Sequence, residues 1–165
     1  MNSSTENNSF INTVLGTIRI SGDADFITAV SFCEEKVDES VLSISSHIQC
    51  AEQLREYFAG TRQTFDFPFK QPGTDFQQKV WRHLLDIPFG QTTSYLLLSK
   101  KIGDVKAIRA VGTANGRNNM AIVVPCHRVI GSNNKLVGYA GGLWRKEWLL
   151  KHEMSFSPVK EGMLF

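Results

Sequence analysis

The apolar positions of this chain follow two rhythms. In the first part, Phe10 to Ile20 and Phe26 to Phe32 are rich in Ile, Val, Thr and Phe. The link Ser21-Gly22-Asp23-Ala24-Asp25 has turn composition, so the two runs predict the strands of a hairpin. A third strand is predicted near Val41 to Ile44. From Ile48 the rhythm becomes helical, with Ala51, Leu54, Tyr57 and Phe58 on one face and Gly60 placed as the stop. Phe65, Phe67 and Phe69 alternate with Asp66 and Pro68, as in an edge strand that tolerates proline. Gln71-Pro72-Gly73 then breaks the chain, and the boundary between two lobes is placed there.

Beyond that break the helical period dominates. Thr74-Asp75-Phe76-Gln77 is a capping box, followed by Phe76, Val80, Trp81, Leu84 and Leu85 on one face until Ile87-Pro88 ends the helix. Ser94 caps a second helix through Leu96, Leu97, Leu98 and Ile102, with Gly103 at its end, and Asp104 caps a third that runs to about Asn115. Two short helices joined by Gly-Asp predict a helix-turn-helix. Ala107, Ala110, Gly112, Ala114 and Gly116 leave the second of them nearly bare, while Lys106, Arg109 and Arg117 make it positive. Its backbone can therefore approach a groove of nucleic acid closely. Met120 to Val124 is an apolar, β-branched run, Gly131-Ser132-Asn133-Asn134 a turn, and Gly138-Tyr139-Ala140-Gly141-Gly142 a loop too rich in glycine for an element interior. Leu143 to His152 predicts a last helix with Leu149 and Leu150 inward. The divisions are a flexible start over 1–9, an α/β lobe over 10–72, a mostly helical lobe over 73–153 and a loose tail over 154–165.

Composition adds a direction to this picture. The 165 residues carry a net charge of only +2, but residues 1–69 hold four Lys and Arg against ten Asp and Glu, and residues 70–153 hold thirteen against five. The second lobe, at net +8, is the surface for a polyanion. No apolar run is long enough to span a bilayer and Met1 to Ser9 is unlike a secretory signal, so a cytoplasmic protein is expected. Cys33, Cys50 and Cys126 are odd in number and widely spaced, which opposes a disulfide framework and fits a reducing compartment. Cys33 and Cys50 read as packing residues. No Cys or His pair has zinc-ligand spacing, so no metal is expected, and the glycine loop lacks the Lys-Ser/Thr of a phosphate loop.

The chemistry is concentrated in Val123-Val124-Pro125-Cys126-His127-Arg128-Val129-Ile130. A thiol reacts as thiolate, and at a free pKa of about 8.5 it needs a basic neighbour to be useful. His127 and Arg128 are such neighbours. Residues i and i+1 of a strand point to opposite faces, so Cys126 and His127 can cooperate only if the chain leaves extended geometry, as Pro125 would favour.

The run Ile122 to Gly131 resembles the active-site signature of the O6-alkylguanine-DNA alkyltransferases, the methylated-DNA–protein-cysteine methyltransferases. The segments around Gly73-Thr74 to Trp81, Ile87-Pro88-Phe89-Gly90, Ser94-Tyr95, Arg109-Ala110-Val111-Gly112, Asn118, Gly138 to Leu143 and Lys146 to Glu153 resemble the same family in order and spacing. The resemblance is dense over about residues 70 to 153 and looser over 13 to 69. It implies an α+β fold, with a ribonuclease H-like N-terminal lobe and a winged-helix-like C-terminal lobe. It further implies that O6-alkylguanine, with O4-alkylthymine as a second substrate, is flipped out of duplex DNA and dealkylated once, irreversibly, onto Cys126. Under this reading a water, His127 and Glu153 relay the thiol proton, Arg109 takes the place of the flipped base, and Tyr95 crowds the 3′ phosphate and donates to guanine N3. Ser94, Lys106, Ala107, Ala110, Arg117 and Arg128 would contact DNA. The backbone at Val129 and Val137, with Tyr139 and Ala140, would line the pocket, and Asn118 would brace the turn before the cysteine. The implied partner is alkylated duplex DNA, engaged by a monomer without membrane or cofactor. The competing readings are a non-catalytic lesion binder, which would have another residue in place of Cys126, a transcriptional regulator, which would need a cysteine cluster in the first lobe, and a cysteine hydrolase.

Overall fold

The computed structural model describes residues 5–157, and the chain packs as two units, the first formed by residues up to 72 together with Asn119–Val123, the second by 73–118 and the residues from 124 onward. In the first unit, β1 (Asn7–Thr13), β2 (Gly16–Gly22) and β3 (Ile27–Phe32) form an antiparallel meander, with α1 (Ser45–Ala59) burying Cys50, Ala51, Leu54 and Tyr57. The long run expected as one strand is therefore two. Its fold lies at Val14-Leu15, where Gly16 takes φ 101° and Thr13 Oγ1 both donates to Gly16 O (2.8 Å) and accepts from Leu15 N (3.1 Å). Two apolar residues in the bend leave no turn signature. β1 also begins at Asn7, inside the stretch expected to be flexible.

Val41 to Ile44 is not a strand, and Val41 is 96% exposed; the loop before it is tied to the sheet through side chains as much as backbone, Ser40 N donating to Phe10 O (3.0 Å), Asn12 N to Glu39 Oε1 (2.9 Å) and Val37 N to Thr17 Oγ1 (3.1 Å). The Phe65 to Phe69 alternation yields a single bridge, Phe69 beside Ile27, and a second bridge joins Met120 to Val30. These two short contacts cover the free edge of β3, with Val30 N donating to Asn119 O and Ala121 N to Val30 O, both at 2.9 Å. Met120 and its neighbours thus belong to the first unit rather than the second. Gly60, at φ 82°, ends α1, and Cys50 is wholly buried with its thiol pKa pushed up by that burial.

The second unit holds α2 (Asp75–Leu85), α3 (Tyr95–Ile102), α4 (Ile108–Gly116) and α5 (Leu143–Ser155), with a short parallel pair, β4 (Thr93–Ser94) beside β5 (Val129–Ile130). The capping box at Thr74 and Gln77 is complete, and Trp81 Nε1 ties α2 to α4 through Ala114 O (2.9 Å). Ser94 Oγ accepts from Leu97 N (3.1 Å). Asp104 caps as expected, through Lys106 N (2.9 Å), but what it caps is a single 3-10 turn, Val105–Ala107, before α4 begins. The last helix runs past His152 to Ser155, two residues into the expected tail. The rest of that tail from 158 on lies outside the described residues. No helix among the described residues is long and apolar enough to cross a membrane.

Gly103 ends α3 at φ 98°, and a Cβ there would meet no atom within 4 Å. Gly103→Ala therefore isolates the cost of a left-handed backbone from any steric clash, and it should lower unfolding free energy by about 1 kcal/mol. An unchanged urea midpoint would contradict this account of the turn.

Candidate active site

Three structural choices deliver the thiol. The chain leaves the second unit after Asn118 and returns at Val124, and Asn118 Nδ2 closes that excursion by donating to Val124 O (2.8 Å). At Pro125 (φ −81°, ψ 61°) Cys126 N donates to Val124 O (2.8 Å), an inverse γ-turn that ends extended geometry one residue before the cysteine. Cys126–Arg128 then form a 3-10 turn, which removes the alternation that would have sent Cys126 and His127 to opposite faces. The turn runs into β5, and β5's pairing with β4 fixes it to the start of α3.

Below this turn lies a buried, charged cluster. His127 and Glu153 are fully buried, Arg128 is 6% exposed and Cys126 7%. His127 Nε2 meets Glu153 Oε2 at 2.6 Å. Arg128 donates from Nε to Oε1 (2.7 Å), from Nη2 to Oε2 (3.2 Å) and from Nη1 to Ile87 O (2.6 Å), and Gly90 N donates to Oε1 (3.1 Å). An ionised carboxylate only accepts, so His127 Nε2 carries a proton, and in the neutral ring that burial favours Nδ1 holds the lone pair. Nδ1 is buried and has no hydrogen-bond partner among the described residues.

Burial pushes the Glu153 pKa up, but His127 and Arg128 outweigh it and hold the carboxyl well below the usual range. For His127 burial lowers the pKa, Glu153 opposes, and Arg128 and Lys146 lower it again. Burial raises the Cys126 thiol, against Asn118 and Lys146, which favour the thiolate. Lys146 is itself fully buried, lowered to about 8 by burial. Its Nζ donates to Val129 O (2.6 Å), Val137 O (2.9 Å) and Gly138 O (3.2 Å). One ammonium thus ties β5 to the start of the glycine loop.

The sequence-predicted residues separate into three groups. Cys126, His127, Glu153 and Asn118 come together. Tyr95, half-buried, reaches the loop through its hydroxyl, which donates weakly to Val137 O (3.4 Å). Lys106, Arg109, Ala110 and Arg117 are exposed and Ser94 and Ala107 half-buried; Tyr95 and Arg109 share a hollow of about 330 Å³ with Leu96, Ile108 and Gly112. Of the pocket residues, Val129 is buried, Val137 and Ala140 are exposed, and Tyr139 has a buried hydroxyl whose pKa burial drives upward. Arg128 is the correction: the expected DNA contact is a buried partner of Glu153, with its three kinds of nitrogen all engaged. Lys146 was missed, although Lys146, Leu149, Leu150 and Glu153 stand at i, i+3, i+4 and i+7, one buried face of α5. Among the described residues no group of His, Cys, Asp or Glu could hold a metal ion.

The sequence model of the 6-O-methylguanine DNA methyltransferase DNA-binding domain matches residues 75–155, and that of the ribonuclease-like domain of the same proteins matches 8–71. The chain therefore belongs to the methylated-DNA–protein-cysteine methyltransferase family. The Methanosarcina acetivorans methylated-DNA–protein-cysteine methyltransferase is 46% identical over 146 residues, 86% of this chain and 94% of that protein. The crystal structure of Mycobacterium tuberculosis O6-methylguanine methyltransferase aligns with a TM-score of 0.82 at 39% identity, covering 94% of this chain and 97% of that one. The same organism's protein in complex with DNA gives 0.81 at 41% identity, over 92% and 94%.

Glu153→Gln leaves Arg128 buried without a counter-charge and should cost about 3–5 kcal/mol at pH 7. The folded-state pKa lies below the ordinary 4.5, so the wild type's advantage is complete above that value and drains away as pH falls through the lower folded pKa. Urea unfolding of both proteins from pH 7 downward should show the gap closing; a gap independent of pH would contradict the ionised-carboxylate assignment.

Proposed function

We propose that this protein repairs alkylated DNA by transferring the alkyl group of O6-alkylguanine, and of O4-alkylthymine, to Cys126. The observation that carries the reading is the His127–Glu153 bond: it fixes the imidazole as the tautomer whose Nδ1 can accept the thiol proton, on the residue next to the thiol. His127 takes the proton directly or through one water, sulfur attacks the alkyl carbon, the carbon–O6 bond breaks, and its electron pair stays on the guanine. Tyr95 supplies a proton to the departing base. The Asn118–Val124 bond holds the turn, and Lys146 favours the thiolate that the burial of Cys126 opposes.

The product is a thioether, a poor leaving group, so one molecule acts once. The target atom lies within the base stack, and reaching it requires extrusion of the nucleotide. Arg109, exposed on a helix bordered by small residues, is the group to fill the gap, with Lys106, Arg117, Ser94, Ala107 and Ala110 along the phosphates and groove wall. Val129, Val137, Tyr139 and Ala140 receive the flipped base, and the protein works on DNA as a monomer in the cytoplasm. A non-catalytic lesion binder would have no use for a thiol and an oriented imidazole in one turn, with the buried ammonium of Lys146 on α5 favouring the thiolate.

Incubation with duplex DNA containing O6-methylguanine should add the mass of one methyl group to the peptide holding Cys126, one per molecule, and Cys126→Ser should remove the gain while lesion binding persists. Transfer by that variant would overturn the assignment. Arg109→Ala should slow repair of duplex DNA by at least tenfold while leaving reaction with free O6-benzylguanine within about twofold, since a free base needs no extrusion. Equal losses on both substrates would move Arg109 from extrusion to folding or chemistry.

A further inference from the structure

Glu153 accepts more hydrogen bonds than the one from the histidine it would be expected to serve. Two come from Arg128 and one from Gly90 N. The guanidinium engages both carboxylate oxygens and anchors its remaining nitrogen on Ile87 O, so the turn after α2 and the C-terminal part of α5 are joined through one planar group. We propose that Arg128 is a positioning residue of the transfer reaction: by sharing Glu153 with His127, it orients the carboxylate while keeping the imidazole neutral, with its Nδ1 lone pair open for the thiol proton.

The argument starts from what a histidine–carboxylate pair does alone. A buried anion at 2.6 Å stabilises the imidazolium, and a ring already protonated near neutral pH cannot take a proton from a thiol. A second, permanent cation on the same carboxylate counters that stabilisation and adds to the effect of burial. Guanidinium is the side chain that cannot relieve the strain by losing its own proton. Among the described residues, the charged or titratable groups facing His127 and its partners are Glu153 and Lys146 from α5, Cys126 and Arg128 on its own turn, the Tyr139 hydroxyl from the glycine loop, which interacts with Cys126 and Glu153, and Tyr95 from α3, which interacts with Cys126. Ile87 and Gly90 contribute only backbone groups. Of the two cations, Arg128 alone bonds the carboxylate, and its effect on His127 runs in the same direction as burial. Lysine could keep the charge, but it lacks the planar fork that meets Oε1 and Oε2 from separate nitrogens.

This role rests on the alkyl-transfer reading, and the test separates the two. His127 is followed by NMR titration of its ring in the unreacted protein, and single-turnover methyl transfer from O6-methylguanine duplex is measured across pH 5.5 to 9 in wild type, Arg128→Lys and Arg128→Met. In the wild type, His127 should titrate below the ordinary 6.5 despite its carboxylate partner. In Arg128→Met the titration should move upward, more than in Arg128→Lys, and the rate at pH 6 should fall by about threefold more than the rate at pH 8.5, the effect of roughly one unit in a base that starts below 6.5. A wild-type titration above 6.5, or variants that lose the same factor at every pH, would overturn the role. Should neither variant fold, the wild-type titration decides alone. A methyl gain on Cys126 with an unmoved pH profile defeats only the Arg128 proposal, whereas no gain at all removes the relay and this role with it.

Discussion

The constraint on which the second unit depends is the need to satisfy one buried carboxylate. Glu153 is placed on the inward face of α5, where an unpaired charge would cost several kcal/mol, and the surrounding chain supplies donors to it from three directions. Gly90 offers an amide from the turn after α2, Arg128 a fork from the 3-10 turn, and His127 a ring nitrogen beside it. Satisfying the anion sets the ring's orientation and hence which nitrogen is a base. Structural and chemical requirements are thus met by the same bonds. The close fit extends to Gly90 itself, at φ 78°, where a Cβ would stand 2.4 Å from Ser157 Oγ.

The cluster is also balanced in charge. Counting Arg128 and Lys146 as cations and Glu153 as the anion, the buried set is one positive charge in excess while Cys126 is a thiol, and even when it is a thiolate beside a neutral imidazole. The excess sits on Lys146, whose three partners are carbonyls. Dipoles hold the ammonium in place without cancelling it, leaving its field available to the sulfur.

Local signals were the legible ones. Thr74 and Gln77, Ser94, Gly60 and Gly103 act within a few residues of themselves, and each stands where sequence spacing put it. What required the fold was of two kinds. The bend at Val14-Leu15 is made of apolar residues whose turn depends on Thr13 and Gly16 after the strands have paired. The charges of Arg128 and Lys146 default to the surface in any reading by residue type, and only their partners, 25 and 17 positions away in sequence or held by backbone carbonyls, turn them inward. The β-branched run before the cysteine misleads for a related reason. Its composition says strand, yet Ile122 holds φ 71° with Val123 N bonded to Ala121 O at 2.8 Å, a strained γ-turn that no β-branched residue would choose alone.

The interleaving of the two units bears on how the chain is made. β3 is complete as a strand long before the Val30 part of its outer edge is covered, because the residues that bond to Val30 there are Asn119 and Ala121. On the ribosome the first unit therefore emerges with an open edge, and stays so while α2, α3 and α4 are being synthesised. The residues that close it immediately precede Val124 and the cysteine turn. Completion of the older unit and placement of the nucleophile are thus adjacent events in translation, and a chain interrupted before Asn119 would have neither a sealed sheet nor a reactive centre.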